Sequence, residues 1–124
     1  MTLIDSCVFI AAFRKNELQH KEAQSIIDKN DKLIVLDYVL SEVYTVIMLR
    51  ESYELASQVL NWIVSHPKCI IERLSNQETE EVVNFLQNTK TKLSFVDAAL
   101  CIVSRQRNYE LITFDEGLLK LYFA

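Results

Sequence analysis

Four short apolar runs, Thr2–Asp5, Leu33–Leu36, Cys69–Glu72 and Glu110–Thr113, punctuate a chain whose intervening segments have helical spacing. The runs are brief, largely β-branched and carry too few polar positions to show a wet face, so they predict strands buried on both sides. Helical spacing covers Glu17–Asn30, Asp37–Arg50, Tyr53–His66, Asn76–Thr89 and Phe95–Arg107. In the second of these, Val39, Val43, Val46 and Ile47 recur on one face. Strands that alternate with helices assemble into a parallel sheet with helices on both faces. The predicted class is therefore α/β: three layers, α/β/α, around a mostly parallel sheet of four to five short strands. Leu121–Phe123 is the expected fifth strand, closing one edge. The 124 residues suit one domain, 1–124, with no internal boundary.

Helix boundaries are signalled almost without glycine. Asp37 is placed to cap the helix through Arg50, and Ser75 or Asn76 the helix beginning with Gln77. Ser94 stands three residues before Asp97, an aspartate variant of the capping box, and Pro67 ends the helix that carries Trp62. The lone glycine, Gly117, leaves no means of building a phosphate-cradling loop or a dinucleotide fingerprint, both of which need several glycines together. Half the residues are apolar, which excludes disorder. The richest apolar stretch, Tyr38–Leu49, is broken by Glu42 and is too short to span a membrane. Asp5 comes too early for a leader peptide, so the expectation is a soluble cytoplasmic protein. Cys7, Cys69 and Cys101 are odd in number, far apart and set among apolar residues; they read as reduced core thiols.

The acidic residues divide into two kinds. Glu78, Glu80 and Glu81 fall on polar helix faces and read as solvated surface. Four others stand in apolar surroundings, where a carboxylate is costly unless paired or metal-bound. Asp5 ends the first strand, in Leu-Ile-Asp-Ser-Cys-Val, where it also suits the cap of a short helix beginning near Cys7. Glu42, in Val-Leu-Ser-Glu-Val-Tyr, lies near a helix start and complements the dipole there. Asp97 lies in Phe-Val-Asp-Ala-Ala-Leu, where capping by Ser94 explains its position but not its apolar setting. Asp115, in Thr-Phe-Asp-Glu-Gly, also suits a turn before Gly117. Strand C-termini and helix N-termini of a parallel sheet face one edge, where ligands bind at the switch point. Four carboxylates at that edge repel one another without a cation, and their hard oxygens select magnesium or manganese over zinc.

In order and spacing, Ile-Asp-Ser, Ser-Glu-Val, Phe-Val-Asp-Ala-Ala and Thr-Phe-Asp resemble the acidic motifs of the PIN-domain family, most closely its small VapC-type ribonuclease toxins. The resemblance spans the whole chain. It implies that Asp5, Glu42, Asp97 and Asp115 are metal-binding, catalytic acids, with Ser6 and Thr113 as supporting hydroxyls. Cys7 departs from the small polar residue more usual in the family, which affects hydrogen bonding around the acids rather than the acids themselves. Glu116 either contributes beside Asp115 or is simply exposed.

The implied activity is a divalent-metal-dependent endoribonuclease, the toxin of a toxin–antitoxin pair. Two other readings compete: a PIN-fold binding module that has lost catalysis, and a magnesium-dependent phosphatase or phosphotransferase. The second aspartate such phosphatases often carry two residues after the first is here Cys7. The net charge of −4 does not argue against RNA, because setting four of the 17 acidic residues aside leaves 13 against 13 basic ones. Among the basic pairs, Arg14 with Lys15, Lys90 with Lys92 and Arg105 with Arg107, the one preceding the Asp97 helix is the first choice for phosphate contacts. His20 and His66 read as surface residues with no catalytic task. The segments Asp37–Arg50 and Tyr53–His66 carry apolar faces wider than a small sheet covers, which predicts a homodimer and an adjacent groove for an antitoxin helix.

Overall fold

A computed structural model describes residues 1–122. The four apolar runs form strands β1 (Thr2–Ile4), β2 (Leu33–Leu36), β3 (Cys69–Glu72) and β4 (Glu110–Ile112). They lie in one parallel sheet, in the order β3-β2-β1-β4. Thr2 aligns with Leu33 on one side and Glu110 on the other, so the first strand of the chain is an inner strand. Leu3, Ile4 and all four residues of β2 have no solvent exposure, which is why these runs lack the alternation of a half-wet strand. After β3 the chain returns to the far side of β1, and this reversal puts a switch point between the ends of β1 and β4.

Helices α1 (Ser6–Phe13), α2 (His20–Lys29), α3 (Asp37–Arg50) and α4 (Tyr53–Ser65) pack on one another. Helices α5 (Asn76–Asn88), α6 (Phe95–Gln106) and α7 (Glu116–Tyr122) form a second group. Phe13 meets Trp62 edge-on at 5.3 Å, joining α1 to α4. No helix among the described residues is long and apolar enough to cross a membrane.

Several boundaries depart from the sequence reading. Leu121 and Tyr122 belong to the last turn of α7, not to a fifth strand, and Phe123 lies outside the described residues. The period decides the matter: Leu118 and Leu121, three apart, both pack toward the core once Asp115 has started a helix. The helix expected from Glu17 begins at His20, because Glu17 is held by Arg14 in the preceding turn. Asp37 does not cap α3. The chain passes from β2 into α3 without a loop, so extended Leu36 takes the cap position, and Asp37 accepts from the Tyr38 N–H at 3.0 Å. With glycine absent, Asn108 supplies the left-handed residue after α6, at φ 55°, and the Tyr109 N–H closes back on Ser104 O at 2.9 Å.

Glu78 is the other correction. It is buried rather than solvated, because it completes a capping box with Ser75 and receives the Arg107 guanidinium. Arg107 also donates to Glu72 at 2.6 Å and to Arg73 O at 2.7 Å, and Tyr109 donates to Glu72. This cluster ties the end of β3 and the start of α5 to the end of α6.

Candidate functional site

β1 runs into α1 with a single residue between them, and that residue is Asp5. Its Oδ1 accepts the Ser6 N–H at 2.7 Å, the contact of a helix cap, while Oδ2 accepts the Thr113 hydroxyl at 2.7 Å. Asp5 is only 4% exposed, so these two bonds replace much of its lost hydration. Asp5 therefore caps α1 with one oxygen and meets the end of β4 with the other. Thr113 follows β4 and also accepts the Asp115 N–H at 3.0 Å, so one buried hydroxyl links the ends of β1 and β4 across the switch point.

Ser6 extends the chain of contacts to α3. Its hydroxyl donates to Glu42 Oε1 and lies 3.4 Å from Asp5 Oδ1. The Cys7 thiol sits 3.6 Å from Asp5 Oδ2 and 3.4 Å from the Thr113 hydroxyl, and accepts the Phe114 N–H at 3.2 Å. Sequence reasoning gave Cys7 no task, and a thiol's capacity to accept a backbone N–H leaves no mark in sequence. Burial pushes all three thiols up to about 11.

Asp97 is half-buried at the third position of α6, its N–H held by Ser94 Oγ at 3.0 Å. Burial raises its carboxyl above the ordinary value, and the charges of Asp5, Asp115 and Glu42 raise it further. Asp97 thus feels all three other acids named from the sequence. Asp115 is exposed and caps α7, its Oδ1 accepting the Leu118 N–H at 3.0 Å. A Cβ at residue 117 would stand 3.2 Å from that same oxygen, so the lone glycine serves the close approach of a carboxylate. Glu116 is exposed in the first turn of α7 and complements the helix dipole.

Asp97, Asp115 and Lys92 line a cavity of about 140 Å³. Lys90 is exposed and does not line it. On the other side, Ser6, Glu42 and Arg50 line a second cavity of about 260 Å³, and Arg50 was not singled out from sequence. The other basic pairs are engaged elsewhere: Arg14 with Glu17 and Glu51, Arg105 with Leu121 O, and Arg107 with Glu72 and Glu78. His20 bonds Ala11 O through Nδ1 at 2.7 Å and His66 packs on Trp62, so neither joins the acids.

Among the described residues, no three Asp, Glu, His or Cys side chains close on one point as a chelating group. Asp5, Glu42 and Asp115 instead take hydrogen bonds from Thr113, Ser6 and the α7 backbone. The donor set nevertheless suits a hard divalent cation, since every candidate ligand atom is a carboxylate oxygen.

The sequence profile of the PIN domain matches residues 2–124. No curated protein sequence matches the chain. Among solved structures, the fold is similar to Mycobacterium tuberculosis VapC20, described as a sarcin–ricin loop cleaving toxin. That likeness has a TM-score of 0.88 at 18% identity and covers 98% of this chain and 95% of that one. It is also similar to VapBC2 from Rickettsia felis bound to a promoter DNA fragment, with TM-score 0.69, 15% identity and coverage of 96% and 91%. A toxin–antitoxin complex from Klebsiella pneumoniae matches with TM-score 0.65, 19% identity and coverage of 93% and 87%.

Proposed function

The chain belongs to the PIN-domain family, and from that premise we propose that residues 1–124 form one nuclease domain, a divalent-metal-dependent endoribonuclease of the VapC toxin kind. The observation that carries this reading is the chain of contacts from Glu42 through Ser6, Asp5 and Thr113 to the Asp115 backbone, with Asp97 beside Asp115 in one cavity, at the switch point of a parallel sheet. These four acids are the residues that would hold magnesium or manganese. Such an ion supplies positive charge to a scissile phosphodiester and acidifies an attacking water.

The chain's own residues prepare that chemistry. Thr113 and Ser6 hold Asp5 and Glu42 in place through hydroxyl hydrogen bonds. Lys92 offers a phosphate a cationic contact beside Asp97 and Asp115. No histidine is assigned a proton transfer. Hydrolysis of this kind leaves a 5′-phosphate and a 3′-hydroxyl, whereas attack by the RNA's own 2′-hydroxyl leaves a 2′,3′-cyclic phosphate.

The proposal extends to partners. The similar Klebsiella pneumoniae structure is a toxin–antitoxin complex and the Rickettsia felis one is VapBC2 on promoter DNA, which supports a cognate antitoxin for this chain. Leu49, Tyr53 and Val64 on α3 and α4 are 75%, 63% and 60% exposed, which supports a homodimer through that face. The test is end-group analysis of a cleaved single-stranded RNA with magnesium, with chelator and with magnesium restored. Cyclic-phosphate ends, or cleavage indifferent to chelation, overturn the mechanism. Binding without cleavage under all three conditions identifies a non-catalytic module instead.

A further inference from the structure

We propose that Tyr38 and Phe95 form a stacking platform for a nucleobase beside the acids, so that the ligand is single-stranded nucleic acid held partly by its bases. The inference deepens the nuclease reading and rests on it for the position of the scissile phosphate. The two rings lie 5.2 Å apart at their centroids and are tilted by 55°. Phe95 is half-buried against the core and braces Tyr38, which keeps 40% of its surface in solvent. The fold makes little use of that ring. Val39, Val43 and Ile47 supply the buried side of α3, and no described residue takes the Tyr38 hydroxyl in a hydrogen bond.

Placement gives the pair its meaning. Tyr38 stands one helical turn before Glu42 on the same face of α3. Phe95 opens α6 two residues before Asp97. The aromatic contact therefore joins two of the elements that carry the acids, at their N-terminal ends. Two cations belong to the same neighbourhood: Arg73, 83% exposed, stands 4.0 Å from Asp37, the residue before Tyr38, and Lys92, three residues before Phe95, lines a cavity with Asp97 and Asp115. An exposed aromatic ring with basic side chains in its neighbourhood is the combination that binds unpaired strands, with the cations meeting phosphates and the ring meeting a base. Every base has a π-face, so the platform selects unpaired over paired nucleic acid rather than one sequence.

The test is fluorescence anisotropy of the full chain without divalent ion at 50 mM salt, using a labelled nine-nucleotide oligouridylate and a nine-nucleotide abasic ribose chain. Tyr38→Ala is expected to weaken oligouridylate binding about 10-fold and leave the abasic chain unchanged. Tyr38→Phe retains the ring and is expected to bind within twofold of the parent; melting curves establish that both variants fold. Equal weakening on both probes, no weakening, or no binding of either probe by the parent overturns the platform. So does a Tyr38→Ala change confined to self-association, which would assign the ring to a contact between copies. Base-independent binding with intact magnesium-dependent cleavage removes the platform alone. Base-dependent binding with no cleavage removes the nuclease reading and leaves the platform standing.

Discussion

Replacing Arg107 by alanine should destabilise the fold more than any other change to a polar side chain outside the acid cluster. The guanidinium spends four directed contacts: Nε and one terminal nitrogen on Glu78 at 3.0 and 2.5 Å, and others on Glu72 at 2.6 Å and Arg73 O at 2.7 Å. The Arg107 and Glu72 side chains keep 24% and 22% of their surface and Glu78 only 8%, so the cluster is screened on one side. Charge-assisted bonds contribute about 1.5–3 kcal/mol each when shielded, and exposed pairs contribute under about 1. Deletion also strands the Glu78 carboxylate with its capping-box contacts alone. The expected loss is about 2–4 kcal/mol, which at this chain length lowers Tm by roughly 8–16 °C. The pH dependence has a fixed sign. The Arg107 hydrogen bonds hold the Glu78 carboxyl below its ordinary value. Its contribution is therefore present above the unfolded carboxyl pKa and is lost as pH falls through the lower folded value. Urea melts of parent and Arg107→Ala from pH 7 to pH 3 measure both quantities. A loss under about 1 kcal/mol at pH 7, or a gap that does not narrow in acid, refutes this account.

Asp5→Asn and Asp97→Asn keep size and most hydrogen bonding but remove charge, so each should slow RNA cleavage at least ~100-fold, about 2.7 kcal/mol of transition-state stabilisation. His20→Ala and His66→Ala should stay within a few-fold in the same assay. Magnesium at ~100 times its Kd should stabilise the folded chain by about 2.7 kcal/mol in thermal melts, and Asp97→Asn should reduce that gain. Light scattering at tens of micromolar should report a dimer; monomer alone refutes the α3–α4 contact.

The strand set was legible in the sequence, and four acids could be picked out as candidates, because both readings depend on local residue type. β2 is apolar without interruption and β1 is apolar after Thr2, since helices cover both faces, and the acids stand out where charge is unexpected among Val, Ile and Leu. What misled was shared vocabulary between elements. Leu121 and Tyr122 suit a strand or a helix, and only the Asp115 cap selects the helix. Glu78 reads as surface on a polar face, yet Ser75-x-x-Glu78 was a visible capping box. Its partner, Arg107, lies 29 residues away and no local pattern announces the pair. The Thr113–Asp5 and Ser6–Glu42 contacts are likewise long-range, and their hydroxyls entered only through family resemblance.

The gathering of four carboxylates at one sheet edge raises the question of why the fold tolerates them. Helix starts supply much of the answer. Asp5 caps α1, Asp115 caps α7 and Asp97 lies in the first turn of α6, so three of the four stand at positive ends of helix dipoles. Each such position stabilises a carboxylate by roughly 0.3–1 kcal/mol at an exposed site and more where it is partly buried. Backbone N–H and hydroxyl donors add to this at Asp5, Asp115 and Glu42. The repulsion is therefore offset by the same caps that set the helix boundaries, and the Asp97 carboxyl is raised first by its burial and only then by the other three acids. A consequence follows for metal removal. Small zinc domains unfold when stripped because the ion supplies their folding free energy. Here the core and the caps supply it, so a chelated chain should keep its far-ultraviolet circular dichroism and its cooperative melt. A chelated chain without a cooperative melt would mean that the helix ends do not balance the acids, and that the ion is part of the fold.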